Sequence, residues 1–191
     1  MNLKSLWKPL VVLSAAAAAP GAIAAEPQVD LRTSMGTIRL ELYPAKAPKT
    51  VDNFLQYVRD GHYDGTIFHR VIPRFMVQGG GMTPNMAQKP TRAAIPIESK
   101  NGLKNQVGSV AMARTSDPNS ATAQFFINVA DNSFLDYPGQ DGNGYTVFGK
   151  VIDGMDVVNK IVAVPTGNQG MHQNVPREPV IIQSAKVVGA K

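Results

Sequence analysis

The sequence contains no cysteine, and that single absence removes disulfides, thiol nucleophiles and thiolate metal sites together. It does not identify a compartment, because export permits disulfides without requiring them. Histidine is scarce as well: His62, His69 and His172 lie far apart with no ligand spacing, so no metal centre is expected. Charged residues make up only 17% of the chain, and the basic ones are scattered singly between acids. Nucleic-acid binders gather Lys and Arg into stripes, so that class of partner is not expected. G-x-S-x-G, H-E-x-x-H, the P-loop and a G-x-G-x-x-G after a strand are all missing, which leaves hydrolase, zinc-peptidase and nucleotide-binding readings without support. No repeat, low-complexity tract or linker stands out.

What is present fits one globular domain. A chain of 191 residues with 43% hydrophobic content is long enough to bury a real core. Its first residues read differently from the rest: Lys4 and Lys8 precede an apolar stretch from Leu10 to Ala19, followed by Pro20, Gly21 and the A-x-A pattern of Ala22, Ile23 and Ala24. This layout predicts a cleaved signal peptide over 1–24 and a mature domain over 25–191 beginning at Ala25. The apolar stretch is shorter than the ~20 residues of a membrane span, so no stable membrane association is expected. Cleavage takes away two lysines and no acid, leaving the formal charge of +5 reduced to a mild excess.

From Gly36 the run GTIRLELY alternates Ile38, Leu40 and Leu42 against Thr37, Arg39 and Glu41, the period of a half-buried strand. Pro48 opens a helical pattern in which Val51, Phe54, Leu55 and Val58 recur at i, i+3, i+4, i+7, with Gly61 as its stop. Short apolar runs follow at IFHRVI, FMVQGG, GSVAMA, AQFFINVA, YTVFGKVI and PVIIQSAKVV, and these read as strands. A second short helix is predicted at DGMDVVNKI, with Met155, Val158 and Ile161 facing inward. Many short strands with two helices predict a mainly β protein built as a closed antiparallel barrel with the helices at its ends. Gly79, Gly80 and Gly81 read as a strand exit, and DYPGQDGNG, with Asp136 and Asp141, reads as a surface turn.

The block FHRVIPRFMVQGGG sets Arg70 and Gln78 among Phe75, Met76 and Val77, an uncommon neighbourhood for a charged fork. Read with SVAMART, SATAQFFINVADNSFLD, APKTVDNF and YTVFGKVIDGMDVV, in that register, the chain resembles the cyclophilin-type peptidyl-prolyl cis-trans isomerases over essentially its whole mature length. The wording AMART and FINVADNSFLD is similar to the periplasmic bacterial branch. The resemblance implies a closed eight-stranded antiparallel barrel capped by two α-helices, no cofactor and no metal, and isomerisation of X-Pro bonds in exported proteins as a folding aid. It implies the catalytic arginine at Arg70 and apolar walls of a proline pocket at Phe75, Met76, Phe126 and Leu135. Gln78, Ala113 and Gln124 match groove positions.

Three positions depart from the family pattern: Arg114 stands where an asparagine is usual, Phe134 where a tryptophan is usual, and Tyr145 where a histidine is usual. The position of Arg114 is implied to meet substrate through its backbone. Implied partners are proline-containing, unfolded or partly folded exported polypeptides, with the protein acting as a monomer in the periplasm. A non-catalytic proline-peptide binding module or holdase chaperone on the same fold is the alternative, and it would have no need of Arg70.

Overall fold

Period-two patterning in six to eight residues is enough to make a strand but not to close a sheet; closure requires that the last strand find the first. In the computed structural model, which describes residues 25–188, that condition is met. The expected signal segment 1–24 lies outside the described residues. In chain order the elements are β1 (Gln28–Thr33), β2 (Gly36–Leu42), α1 (Pro48–Arg59), β3 (Thr66–Ile72), β4 (Met76–Met82), β5 (Ser109–Met112), β6 (Phe125–Asn128), β7 (Val147–Asp153), α2 (Met155–Val162), β8 (Thr166–Gln169), β9 (His172–Pro176) and β10 (Ile181–Val188). Eight of these strands form a closed barrel in the order β1-β10-β3-β4-β6-β5-β7-β2 with every neighbour antiparallel, and β8 with β9 makes a separate hairpin.

The expected barrel and both helices are found, but two features escaped the pattern reading. β1 carries only Val29 and Leu31 as strongly apolar residues, yet both are fully buried opposite Leu40 and Ile38 of β2. On the outer side Asp30 and Arg39 sit opposite each other and join through two hydrogen bonds of 2.6 and 2.8 Å, a bidentate pair that helps fix the register. The β8–β9 hairpin is mostly polar and so gave no strand signal.

The interior is filled. Phe54 of α1 packs its ring against Tyr63, Phe125 and Phe148 at centroid distances of 5.1, 5.5 and 5.2 Å, and α2 adds Val157, Val158 and Ile161 to the same core. In α2 Met155 packs half-buried against this core as expected, and Val157 adds a buried residue that the spacing did not point to. The triple glycine lies inside β4 and not at its exit. A Cβ on Gly80 would sit 2.8 Å from the Tyr63 ring and 2.9 Å from that of Phe125, and its φ of +84° lies in the left-handed region. Core packing therefore demands glycine there.

Four adjacent strands, β4, β6, β5 and β7, are apolar on both faces. Val77, Phe125, Ile127, Val110, Met112 and Phe148 point into the main core, while Met76, Phe126, Ala111 and Val147 join a second cluster with Leu135 on the outer wall. Every residue of β5 and β6 is buried, which is why these segments read as continuous apolar runs. A sheet face that is apolar on the outside of a barrel must be covered or used.

The start of α1 is secured from a distance. Ala47 at its N-cap offers no side-chain acceptor and its first turn holds no acid. Glu98 instead accepts from the backbone N–H groups of Lys49 and Thr50 at 3.1 and 2.9 Å and from the Thr50 hydroxyl at 2.7 Å. It thereby satisfies two orphan donors and places a negative charge at the positive end of the helix dipole. Glu98→Ala is expected to cost about 1–2 kcal/mol, lowering the thermal midpoint by several degrees, with Glu98→Gln intermediate. An unchanged midpoint in Glu98→Ala would show that water replaces the cap at no cost.

Candidate active site

The outer apolar cluster is the floor of a cavity of about 100 Å³. Met76, Phe126 and Leu135 form its buried base, and Phe75 and Tyr145 its partly exposed walls. Arg70, Gln78, Ala113 and Arg114 complete the rim. That volume is roughly the space of three waters in the liquid, room for one small ring and little more. Beside it lies a larger cavity of about 270 Å³ that shares Gln78, Ala113 and Arg114 and is otherwise lined by polar residues including Thr91, Thr115, Ser120 and Gln124. A further cavity of about 590 Å³ lies elsewhere, between the β1–β2 turn and the Arg177–Val180 connection, and it has no aromatic wall.

Strand register assembles the rim. Arg70 on β3 lies opposite Gln78 on β4, which in turn lies opposite Phe126 on β6, so three successive strands deliver a guanidinium, an amide and an aromatic ring to one side of the wall. Arg70 is exposed, and among the described residues no acid stands within ion-pair distance of it. The Gln78 side-chain amide donates to Oε1 of Gln124 at 2.9 Å, and Gln124 lies across Gly81, where a Cβ would come within 2.4 Å of its Cγ. Glycine at 81 is what admits the Gln124 side chain to this position.

The expected site residues are thus divided between two cavities and one flank. Arg70, Phe75, Met76, Gln78, Ala113, Arg114, Phe126, Leu135 and Tyr145 meet around the small cavity. Gln124 lines only the larger one. Phe134 lines neither: it stacks on Phe75 at 5.8 Å between centroids and remains 44% exposed, extending the apolar surface outward. Lacking an indole N–H, it offers no donor there.

Behind the walls runs a buried amide network that the sequence reading missed. Asn132 donates to the Phe75 carbonyl at 2.9 Å and to the Asn128 side-chain oxygen at 2.6 Å. Asn128 donates to Asn105 and Ser109, and Asp136 accepts from the Asn105 backbone at 2.7 Å and side chain at 3.1 Å. The 3-10 turn Ser133–Leu135 is held between Asn132 and Asp136, and it carries Phe134 and Leu135 to the site. Asp136 is accordingly a buried anchor and not a surface turn residue. The run of capping residues in NVADNS was the available signal, but such residues usually mark plain turns.

Arg114 makes a second anchor. Its guanidinium lies over the Tyr145 ring at 4.4 Å, donates to the carbonyls of Gly144 and Thr115, and pairs with Asp141. The side chain is only 3% exposed. Tyr145 meets Phe126 edge-on at 5.8 Å, so the stack reaches the floor of the small cavity.

Next to Arg70 on β3, His69 is buried, and its Nδ1 is the one fully buried side-chain polar atom without a hydrogen-bond partner among the described residues. Burial first, then the nearby charges of His172 and Arg70, push its pKa down to about 4. The fold therefore favours neutral imidazole. As pH falls below the ordinary histidine value of about 6.5 the unfolded chain takes up a proton that the folded one refuses until about pH 4. Stability is expected to drop by about 3 kcal/mol across that window, and His69→Gln to remove this contribution to the slope. Urea unfolding at pH 7 and pH 4.5 measures it; equal pH slopes in both forms would contradict the assignment.

A small cavity with an apolar floor and, among the described residues, an arginine without an acidic partner at its mouth lies on the outer wall of an eight-stranded barrel, lined by no serine, histidine or carboxylate. The family model for cyclophilin type peptidyl-prolyl cis-trans isomerases matches residues 28–187, and the chain belongs to that family. It is 61% identical to peptidyl-prolyl cis-trans isomerase cyp18 of Streptomyces antibioticus over 163 residues, 84% of this chain and 98% of that one. It is 53% identical to peptidyl-prolyl cis-trans isomerase A of Dickeya dadantii over 189 residues, 98% of this chain and 99% of that one. A crystal structure of a Cryptosporidium parvum cyclophilin type isomerase in the presence of the dipeptide Ala-Pro superposes with a TM-score of 0.73 at 28% identity, covering 85% of this chain and 99% of that one. The protein is a peptidyl-prolyl cis-trans isomerase.

Proposed function

We propose that this isomerase acts on X-Pro bonds of exported, incompletely folded polypeptides in the periplasm, with Arg70 as its catalytic residue and the small cavity as its proline pocket. The observation that carries the reading is that Arg70, free of any acid among the described residues, lines the same 100 Å³ cavity as Phe75, Met76, Phe126 and Leu135. Rotation about X-Pro meets a barrier of ~18–20 kcal/mol, since twisting the amide gives up its resonance. In the twisted state the proline nitrogen is pyramidal and more basic, so a donor aimed at it binds the transition state better than the ground state. A guanidinium supplies that donor at every ordinary pH without transferring a proton.

One charge-assisted hydrogen bond contributes about 1.5–3 kcal/mol, whereas reaching milliseconds from tens of seconds or more takes four to five decades, ~5.5–7 kcal/mol. The remainder falls to the apolar walls, which hold the ring still while Gln78 and the backbone at Ala113 and Arg114 orient the rest of the peptide. A binding module would retain the pocket but gain nothing from an unpaired Arg70. Proline exchange in a short Ala-Pro peptide, with and without protein, separates the two readings.

Arg70→Lys keeps the charge but loses the planar fork, so turnover is expected to fall about ten-fold or more, ~1.4 kcal/mol. A folded Arg70→Ala variant with near-native turnover would overturn the role given to this residue.

Export is supported by the Lys4, Lys8, Leu10–Ala19 and Ala22-Ile23-Ala24 layout. Among the described residues no helix is long and apolar enough to cross a membrane. N-terminal sequencing of the exported product is expected to begin at Ala25, in the osmotic-shock fraction. Intact Met1 on membrane-bound material would contradict export with cleavage.

A further inference from the structure

Two guanidinium groups border the peptide site, and their surroundings differ. Arg70 stands exposed with no acidic partner among the described residues, while Arg114 borders both cavities and is paired with Asp141. Asp141 itself lines neither cavity, yet it is paired with Arg114, which lines both. Its other oxygen accepts from the backbone N–H groups of Asn143 and Gly144 at 3.0 Å each, so one carboxylate both shapes the turn and compensates the cation. Apart from Arg114, the lining of the larger cavity is uncharged, including Gln78, Gln88, Thr91 and Gln124.

We propose that Asp141 is a specificity-determining positioning residue: by pairing with Arg114 it offsets the positive charge shared by the two cavities and leaves Arg70 as the only uncompensated cation among the described residues that line them. This rests on the reading of the small cavity as the proline pocket. Hydrogen bonding from Arg114, then from the Asn143 and Gly144 amides, holds the Asp141 carboxyl below the usual carboxylate range, so the compensation persists at every ordinary pH. Three further Arg114 N–H groups donate to the Gly144 and Thr115 carbonyls, and its face is covered by Tyr145. Its charge is what the groove would feel most if Asp141 were neutral.

Asp141→Asn tests this with little change of shape, because an amide oxygen still accepts from the two backbone N–H groups. The probes are short peptides carrying Glu, Gln or Lys at either of the two positions before Ala-Pro or X-Pro, assayed for exchange at low salt. The Glu-to-Gln ratio of kcat/KM is expected to rise about two- to five-fold over the native ratio in Asp141→Asn. It is expected to return to the native value in about 1 M salt, where the Debye length is ~3 Å, and in the double variant Arg114→Gln/Asp141→Asn. A native ratio in Asp141→Asn overturns the proposal, as does an equal, salt-insensitive loss on all peptides, which marks a purely structural role. Absence of exchange by the native protein on every peptide would instead overturn the underlying proline-pocket reading.

Discussion

Closure of the barrel around a filled interior is the constraint from which the rest follows. A closed sheet has no edge to offer a peptide strand, and Phe54, Tyr63, Phe125 and Phe148 leave no room inside for a ligand. Chemistry has to be built on the outer wall, and the outer wall is ordinarily polar. Here β4, β6, β5 and β7 are apolar on both faces, so consecutive residues serve different ends: Val77 and Phe125 belong to the core, Met76 and Phe126 to the pocket. The shape of the pocket floor is thereby coupled to core packing through single peptide units.

The polar parts of the site are held from behind. Asn132 ties the Phe75 carbonyl to Asn128, and the Arg114 stack ties Tyr145 to the turn at Asp141 and Gly144. Satisfied buried networks of this kind fix geometry because breaking any member leaves a buried group unpaired. That suits a reaction in which no bond is broken and the catalyst contributes chiefly by where its groups are aimed.

The barrel, α1 and α2 were legible in the sequence because each rests on local periodicity, and Arg70 with its apolar neighbours was legible as one unusual block supported by family resemblance. β1 was not, since two apolar residues in six give a weak alternation whose burial is decided by pairing with β2 and β10. Glu98 as the cap of α1, Asp136 as an anchor and Asp141 as the partner of Arg114 all act across long stretches of chain, by 48, 31 and 27 positions respectively for the bonds to Thr50, Asn105 and Arg114. Acids in turns look alike in a sequence whether they face water or a buried donor. Gly79 to Gly81 signalled unusual backbone, but only the approach of Tyr63, Phe125 and Gln124 reveals the reason.

The amide bridge at Asn132 also bears on time. Because the Phe75 wall and the 3-10 turn carrying Leu135 are already bonded in place, a ring entering the small cavity would find it formed and pay little ordering entropy on entry. Under the proposed reading, a preformed cavity with no segment that must fold over it favours short residence, so that one enzyme would serve many X-Pro bonds in turn.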